Sequence, residues 1–396
     1  MSRRRLVYLV TEDWYFTAHR LPMARAAREA GYEVHVATRT GRCRDAIEAE
    51  GFEVHPVNLH RGSISPLKYL AAVCSVRRLY RSLSPSIVHH ITLQASLIGA
   101  LAAWRLPTAQ VNTIVGLGSV FTSHTPKSRV ARPILRRLMP RLLKASRSLV
   151  TVENRDHKAA LAAFDINQTR IRILPGSGVD VGHFTPLPEP APPITVVFAG
   201  RMLEDKGVRT LVRAHEQALQ RGCQINLILA GVPDTANHNA IPHAELARWS
   251  RRPGVTWLGH VADIRDVWRR AHIAVLASHG EGLPVSLLEA AACGRPLVAT
   301  DVPGCREIAR DGYNAILVPV DDAAKLADAL QRLASDPLLR ARFGAAGRDL
   351  VEAEYSSELV KREIVQIYDG LAEGRPTSGQ EAHPGLVARR PPKQVR

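Results

Sequence analysis

A chain of 396 residues is long for one core and is expected to form two domains, and a composition that is 45% hydrophobic, 23% charged and 5% aromatic is that of a soluble globular protein. No apolar run reaches the roughly 18–20 residues of a membrane span; the best, "ITLQASLIGALAAW" (91–104), is shorter, is interrupted by Gln94 and fits a buried helix. The formal charge is +16, and residues 1–190 carry +14 of it (27 Lys/Arg against 13 Asp/Glu), so the first half points to a polyanionic partner, nucleic acid or an anionic membrane surface, unless the basic balance serves solubility alone.

In chain order, "RLVYLVT" (5–11) is too short an apolar run for a secretory signal and is read as a first strand. The loop "TEDWYFTAHRLPMARAAREAG" (11–31) follows, with a helix near 20–30. In it Trp14, Tyr15 and Phe16 precede His19 and Arg20. An exposed aromatic triplet beside a basic pair suits a sugar face or a lipid-linked diphosphate, unless one or two of the rings fold under as core. Strands are expected at 32–39, 52–58, 86–92, 109–116, 148–154 and 171–176, with helical stretches between most of them. Apolar strands alternating with helices mean a parallel sheet covered on both faces. His89 and His90 fall at a strand end, where a core or surface histidine is the plainer reading of each. The strand at 109–116 ends in Gly116-Leu117-Gly118, a turn of the Gly-x-Gly kind. Between Glu53 and Glu153 there are 14 basic residues and no acidic one. Within this region "SRVARPILRRLMPRLLKASR" (128–147) has apolar residues at helical spacing among seven cations, interrupted by Pro133 and Pro140. It reads as a basic amphipathic surface held against anionic headgroups, or as an ordinary domain helix with a basic outer face.

The rhythm breaks at "TPLPEPAPPI" (185–194), with five prolines in ten residues, read as an extended linker. A second series of strands follows at 194–200, 225–231, 254–259, 273–278, 296–300 and 315–320, with helices near 207–221, 241–250, 284–293 and 322–334. The chain therefore reads as α/β: two doubly wound, Rossmann-like domains, 1–184 and 194–355, joined by 185–193 and facing across a cleft where ligands of such sheets bind. The stretch 356–372 is a last helix long enough to cross back to the first domain, and 373–396 is polar, rich in Pro and Gly and read as a disordered tail.

Two stretches of the second half carry chemistry. "FAGRMLEDKGVRTLVRA" (198–214) puts Arg201 and Lys206 in a strand-to-helix loop, where a forked and a point cation suit a diphosphate; alone, they could equally be solvated beside Glu204 and Asp205. "HGEGLPVSLLEAAACGRP" (279–296) sets Glu281 in a turn with Gly282, before a helix with Pro284 at its first position that stops at Gly294. The start of that helix is an anion site. Glu289 lies inside the helix. Two positions eight apart miss alignment by about 80° even in a continuous helix, so the carboxylates are not a same-face acid/base pair. A sugar on one side of a bound phosphate and a ribose on the other would satisfy both carboxylates.

Glu-x7-Glu after a strand, preceded about 75 residues earlier by Gly-Arg-x4-Lys-Gly, resembles the family-4 glycosyltransferases of the two-domain GT-B type. "PGSGVD" (175–180) and "DVPGCREIARDGYNAILVPVDDAAKLADAL" (301–330) are similar to further segments of that family, so the resemblance covers most of the chain. Gly-Leu-Gly-x-Val-Phe (116–121) resembles the branch that extends undecaprenyl-diphosphate-linked sugars. The resemblance implies a retaining, metal-independent transfer of a sugar from a nucleotide diphospho-sugar, with UDP the family's usual nucleotide; an N-acetylhexosamine is the candidate sugar, which no residue of 279–290 names. Arg201 and Lys206 would hold the diphosphate, Glu281 the sugar hydroxyls with backbone N–H groups of Gly282 to Val285, and Glu289 the ribose. The base would sit near Gly231, Gly259 and His260. The first domain would choose a lipid-linked saccharide through Trp14, Tyr15, His19, Arg20, Gly116 and Gly118. Two departures stand out: the first loop lacks the family's Gly-Gly turn, and Val115 stands where many members have a histidine beside the reacting sugar.

The reading is thus a glycosyltransferase of cell-surface polysaccharide assembly, cytoplasmic and peripheral on the inner face of the membrane through the basic 61–149 region. No cofactor, metal or nucleic acid is expected. The alternatives are a sugar-nucleotide 2-epimerase on the same scaffold, or a nucleic-acid-binding protein. The last is favoured by charge alone, since residues 122–158 contain no aromatic to interleave with the cations. The five cysteines, at 43, 74, 223, 293 and 305, show no CxxC spacing and are read as reduced thiols.

Overall fold

The protein's structure, a computed structural model, describes residues 4–59, 65–116, 133, 137–143, 147–164, 166–234, 237 and 239–374. Gly118, residues 128–132, 134–136 and 144–146 of the basic segment, and 375–396 of the tail lie outside the described residues. The chain forms two compact units, residues 1–177 with 357–396, and residues 178–356.

The first unit is built on a seven-stranded parallel sheet of order β3-β2-β1-β4-β5-β6-β7. The strands are β1 (Arg5–Glu12), β2 (Glu33–Arg39), β3 (Glu53–Pro56), β4 (Ile87–Ile91), β5 (Ala109–Ile114), β6 (Ser148–Val152) and β7 (Ile171–Ile173). Alternate side chains leave opposite faces of a strand, and β1 divides accordingly. Leu6, Tyr8 and Val10 enter one core cluster, while Val7 and Leu9 enter another with Val76 and Tyr80 of the helix Pro66–Leu83. The first of these clusters is closed by the C-terminal helix Ser357–Ala372, whose Val360, Ile364, Tyr368 and Leu371 form one buried stripe at helical spacing. Tyr368 Oη lies 2.8 Å from Tyr8 Oη and 2.6 Å from His89 Nδ1. His89 and His90 are both fully buried and hydrogen-bonded within this unit, His90 to Asn112 and Tyr80, and burial holds both imidazoles below the ordinary histidine range.

The second unit carries a six-stranded parallel sheet of order β10-β9-β8-β11-β12-β13. Its strands are β8 (Ile194–Ala199), β9 (Ile225–Ala230), β10 (Val255–Gly259), β11 (Ile273–Leu276), β12 (Leu297–Thr300) and β13 (Ala315–Val318). The helix Pro337–Glu354, which the strand–helix rhythm does not announce, packs through Leu339, Phe343, Leu350 and Val351 into this core. Asp336 caps it, accepting from the Leu339 N–H at 2.8 Å, and Pro337 opens it. An Asp-Pro start of this kind is a sequence-level signal for a helix.

The proline-rich stretch differs from the spacer expected of it. Residues 178–193 belong to the second unit and are fastened along it. Proline carbonyls accept hydrogen bonds although proline has no N–H to give, and the partners here are donors: Arg295 Nη2 gives to the Pro188 carbonyl at 2.9 Å, and His272 Nε2 lies 3.0 Å from that of Pro190. Arg340 makes a forked contact to Glu189, at 2.6 and 3.1 Å.

No described helix is long and apolar enough to cross a membrane. In the described part of the basic segment, Met139, Leu142 and Leu143 are buried while Arg137 and Arg141 are exposed. The described apolar residues of the segment are therefore spent on the unit's own core, and what faces outward is charge. All five cysteines are unpaired; burial pushes the Cys293 thiol up to about 11 and that of Cys305 higher still.

Candidate active site

Strand order reverses between β8 and β11, and in open α/β sheets ligands bind outside the carboxyl ends of the strands at such a switch point. The loops leaving these two strands carry the expected donor residues. After β8 the chain runs through Gly200 and Arg201 to a short 3₁₀ turn, Glu204–Lys206; after β11 it runs through Ser278 to Glu281. The loops are laced together. Ser278 Oγ donates to the Asp205 carbonyl at 3.0 Å, and the His279 N–H donates to the same oxygen at 2.8 Å. Thr300 Oγ1, at the end of β12, donates to the Ser278 carbonyl at 2.5 Å.

Two glycines make this approach possible. Gly207 has φ +67°, and a Cβ there would stand 1.9 Å from the Ala277 carbonyl oxygen. Gly304, with φ +80°, packs so closely under the Glu281 turn that a Cβ would come within 2.5 Å of the Gly282 oxygen. Neither backbone conformation nor space admits another residue. The result is a direct ion pair, Lys206 Nζ to Glu281 Oε1 at 2.5 Å, with side chains 17% and 11% exposed. The sequence put both residues in these two loops; their pairing with each other was not foreseen.

The helix Val285–Ala292 begins after Pro284, which is its cap (φ −74°, ψ 109°) and lies just outside the first turn. Leu283 and Pro284 are buried, Gly282 is half-buried and Val285 is exposed. Glu289, on the second turn, keeps partial contact with solvent, yet burial pushes its carboxyl up to about 7, with the neighbouring Trp268 indole acting in the opposite direction. Desolvation disfavours the charged form, so Glu289 is half-ionised near neutral pH.

Beside β8 the sheet ends are sewn together at three glycines. The Gly200 N–H donates to the Ala230 carbonyl at 2.9 Å, and the Gly231 N–H to that of Gly259 at 2.8 Å. Trp257 Nε1 donates to the Gly231 carbonyl at 2.8 Å. A Cβ on Gly231 would meet the Gly200 carbonyl at 1.9 Å. His260 is exposed. Arg201 is exposed as well and pairs with Asp234 at 3.0 Å.

The expected acceptor residues are arranged differently from the sequence reading. The stretch 11–31 is two helices, Asp13–His19 and Leu21–Glu29. Phe16 is fully buried between Tyr8 and Phe52, whereas Trp14, Tyr15 and His19 are partly exposed along one helix, Trp14 edge-on to Tyr15 and Tyr15 tilted against His19, with ring centroids 5.8 Å and 4.6 Å apart. Arg20 is corrected: it is 1% exposed and ion-paired at 2.8 Å to Glu153, itself 6% exposed. A cation so enclosed cannot reach a lipid diphosphate without abandoning a buried carboxylate. Asp13, passed over in the sequence, is 2% exposed and accepts from the N–H groups of Gly41 and Cys43 at 2.5 and 3.0 Å, which fixes the helix start. Gly116, two residues past β5, is half-buried, and Val115 packs against the unit's core.

The family model for glycosyl transferases group 1 matches residues 193–336, and that for glycosyl transferase 4-like domains matches residues 5–153. The chain is a family-4 glycosyltransferase of the GT-B type. This glycosyltransferase is 23% identical over 366 residues to the N,N'-diacetylbacillosaminyl-diphospho-undecaprenol alpha-1,3-N-acetylgalactosaminyltransferase of Campylobacter jejuni, covering 88% of this chain and 94% of that one. Among solved structures it is similar to sucrose-phosphate synthase from Thermosynechococcus elongatus, with a TM-score of 0.77 at 20% identity over 93% of this chain and 99% of that one. It is also similar to Anabaena Alr3699/HepE in complex with UDP-glucose, with a TM-score of 0.75 at 17% identity over 92% and 99%. These structural likenesses bear on the fold of the glycosyltransferase, two doubly wound sheets of parallel strands.

Proposed function

We propose that this glycosyltransferase moves an N-acetylhexosamine, with retention, from a UDP-linked donor to a polyprenyl-diphosphate-linked saccharide in cell-surface polysaccharide assembly. The observation that carries the reading is the Lys206–Glu281 pair at the β8/β11 switch point, set directly before the helix Val285–Ala292. In this reading the diphosphate takes Lys206, Arg201 and the helix start, where N–H groups and the helix dipole favour an anion. Glu281 turns to the sugar hydroxyls, Glu289 receives the ribose, and the base lies by Gly231, Gly259 and His260. The ion pair keeps an ammonium fixed in a mostly dry place before the donor arrives. Bond breaking to the diphosphate then needs little reorganisation of charge, which is the condition for strong electrostatic catalysis. The leaving diphosphate is stabilised by cations already present, so no metal is required in this scheme.

The acceptor side rests on Trp14, Tyr15 and His19, with Gly116 giving room for close approach. Support for a lipid-linked acceptor comes from the undecaprenol-linked substrate in the name of the Campylobacter relative, and support for UDP from the HepE complex. The outward cations of the 61–149 region would hold the enzyme to the anionic inner face of the membrane by charge alone.

The test is a panel of UDP-, GDP- and ADP-sugars offered with a synthetic polyprenyl-diphosphate saccharide in anionic liposomes. The expected result is a lipid extract heavier by one N-acetylhexosamine from a UDP donor, with liposome binding that weakens as salt rises. Transfer only to soluble acceptors, or epimerised nucleotide sugar without transfer, would overturn the reading.

A further inference from the structure

The tripeptide Glu-Val-His occurs twice, at 33–35 and 53–55, once in β2 and once in β3, the four-residue edge strand of the first sheet. The two strands run parallel with His35 opposite Glu53 and Ala37 opposite His55. His35, Glu53 and His55 therefore leave the same face of the sheet, and Glu33, two residues before His35, shares that face.

Their donor atoms converge. His35 Nδ1 is 3.1 Å from His55 Nε2 and 3.2 Å from Glu53 Oε2, and His55 Nε2 is 3.5 Å from Glu53 Oε1. Among the described residues these three side chains form a group able to offer one ligand atom each within a single coordination sphere. Tetrahedral zinc bound by nitrogen and oxygen at about 2.0–2.2 Å spaces its donors about 3.3–3.6 Å apart; the His35–His55 spacing needs only tenths of an ångström of adjustment, and the Glu53 carboxyl, whose two oxygens now face one imidazole each, turns to bring one oxygen to both. The second nitrogen of His35, Nε2, is buried and makes no hydrogen bond, and Glu33 Oε1 lies 3.3 Å away, placed to take its N–H after a small rotation. A metal-binding histidine commonly gives its other N–H to a carboxylate, which fixes the tautomer and leaves the ligating nitrogen its lone pair. His35 is 1% exposed while the Glu53 side chain is 63% exposed, so the group has a rigid floor and an open side by which an ion enters.

We propose that His35, Glu53 and His55 bind a zinc ion that staples the edge strand β3 to β2, with water as the fourth ligand and Glu33 orienting His35. Two imidazoles and one carboxylate suit zinc better than the hard cations, which take oxygen. The site lies on strands that carry none of the proposed donor residues, so it is structural and independent of the sugar-transfer scheme. A short edge strand held by one neighbour is a place where a cross-link adds order.

The test uses the full chain without a histidine tag, stripped with a chelator and dialysed. Zinc is titrated by calorimetry, and cobalt(II) is followed by absorption. The expected result is one equivalent of zinc, a tetrahedral cobalt spectrum without a sulfur-to-metal band, and a rise in melting temperature with zinc. Affinity should fall about tenfold or more in Glu53→Gln and His55→Ala, and about 10–100-fold in Glu33→Gln. Glu53 is exposed, so Glu53→Gln should keep the circular dichroism spectrum of the parent and report binding alone. No uptake by the parent chain, undiminished affinity in Glu53→Gln and His55→Ala, or a sulfur-to-metal band assigning the ion to the cysteines would each overturn the proposal.

Discussion

Replacing Glu289 by Gln should make the protein more stable and a poorer enzyme, and pH separates the two effects. The rise of its carboxyl from 4.5 to about 7, at 1.36 kcal/mol per unit, means that the ionised form costs the folded state about 3 kcal/mol. The sign follows from which state holds the proton. Below about pH 4.5 both folded and unfolded chains are protonated and there is no cost. Between about 4.5 and about 7 the unfolded chain ionises first, so stability falls as pH rises; above about 7 the deficit is constant. The isosteric amide carries no such charge. Glu289→Gln should thus match the parent near pH 4 and exceed it by about 3 kcal/mol near pH 8, worth about 6–12 °C in melting temperature for a unit of this size. UDP binding should move the other way. If the carboxylate accepts the ribose hydroxyls, losing its charge costs about 1.5–3 kcal/mol, or about 10–150-fold in affinity. The parent's UDP affinity should climb with pH through about 7 while that of the variant stays flat. Scanning calorimetry and UDP titration at both ends of the range read the two effects. Equal stabilisation at both pH values would refute the buried-carboxylate argument, and unchanged UDP affinity would refute the ribose assignment.

The pair at the switch point makes a second prediction. Lys206→Met should lower turnover about 10²–10³-fold, the cost of one lost electrostatic donor to a developing charge. Glu281→Gln should lower it too, and the double variant should lose less than the product of the two because the residues act on one another; UDP release by steady-state assay checks this, and a loss under threefold in both single variants would contradict it. Arg20→Met should act on stability and not on the acceptor. Removing one partner of a buried pair costs about 3–5 kcal/mol, seen as a lower urea midpoint with an unchanged acceptor KM, whereas a raised KM at full stability would restore Arg20 to the acceptor site.

How far the sequence reached is clearest in particular residues. Periodicity and punctuation located every described strand to within a few residues, because short apolar runs rich in β-branched residues and bounded by Gly or Pro favour buried strands in a doubly wound domain. Glu281 and Glu289 could be placed on either side of a helix start because Gly282, Pro284 and Gly294 mark that helix locally. The helix Pro337–Glu354 was missed although Asp336 and Pro337 announce it, since its buried face includes glycines and an arginine that blur the apolar stripe.

Contacts distant in sequence were beyond it. Lys206 and Glu281 are 75 positions apart, and only the lacing of Asp205 to Ser278 and His279, over glycines that admit no side chain, brings their charges together. Arg20 looks exposed in a basic loop; it is buried because Glu153, 133 positions away, meets it inside the fold. The proline-rich stretch reads as a free linker because proline lacks a donor, and becomes part of the second unit because Arg295, His272 and Arg340 supply donors from elsewhere in the chain. The two Glu-Val-His tripeptides are unremarkable strands until parallel register stacks them. Local chemistry determined this protein's elements and the residue types of its candidate site. Which charges stay available, and which neutralise one another, was decided by tertiary structure, because an ion pair depends on distance in space and the sequence records only distance along the chain.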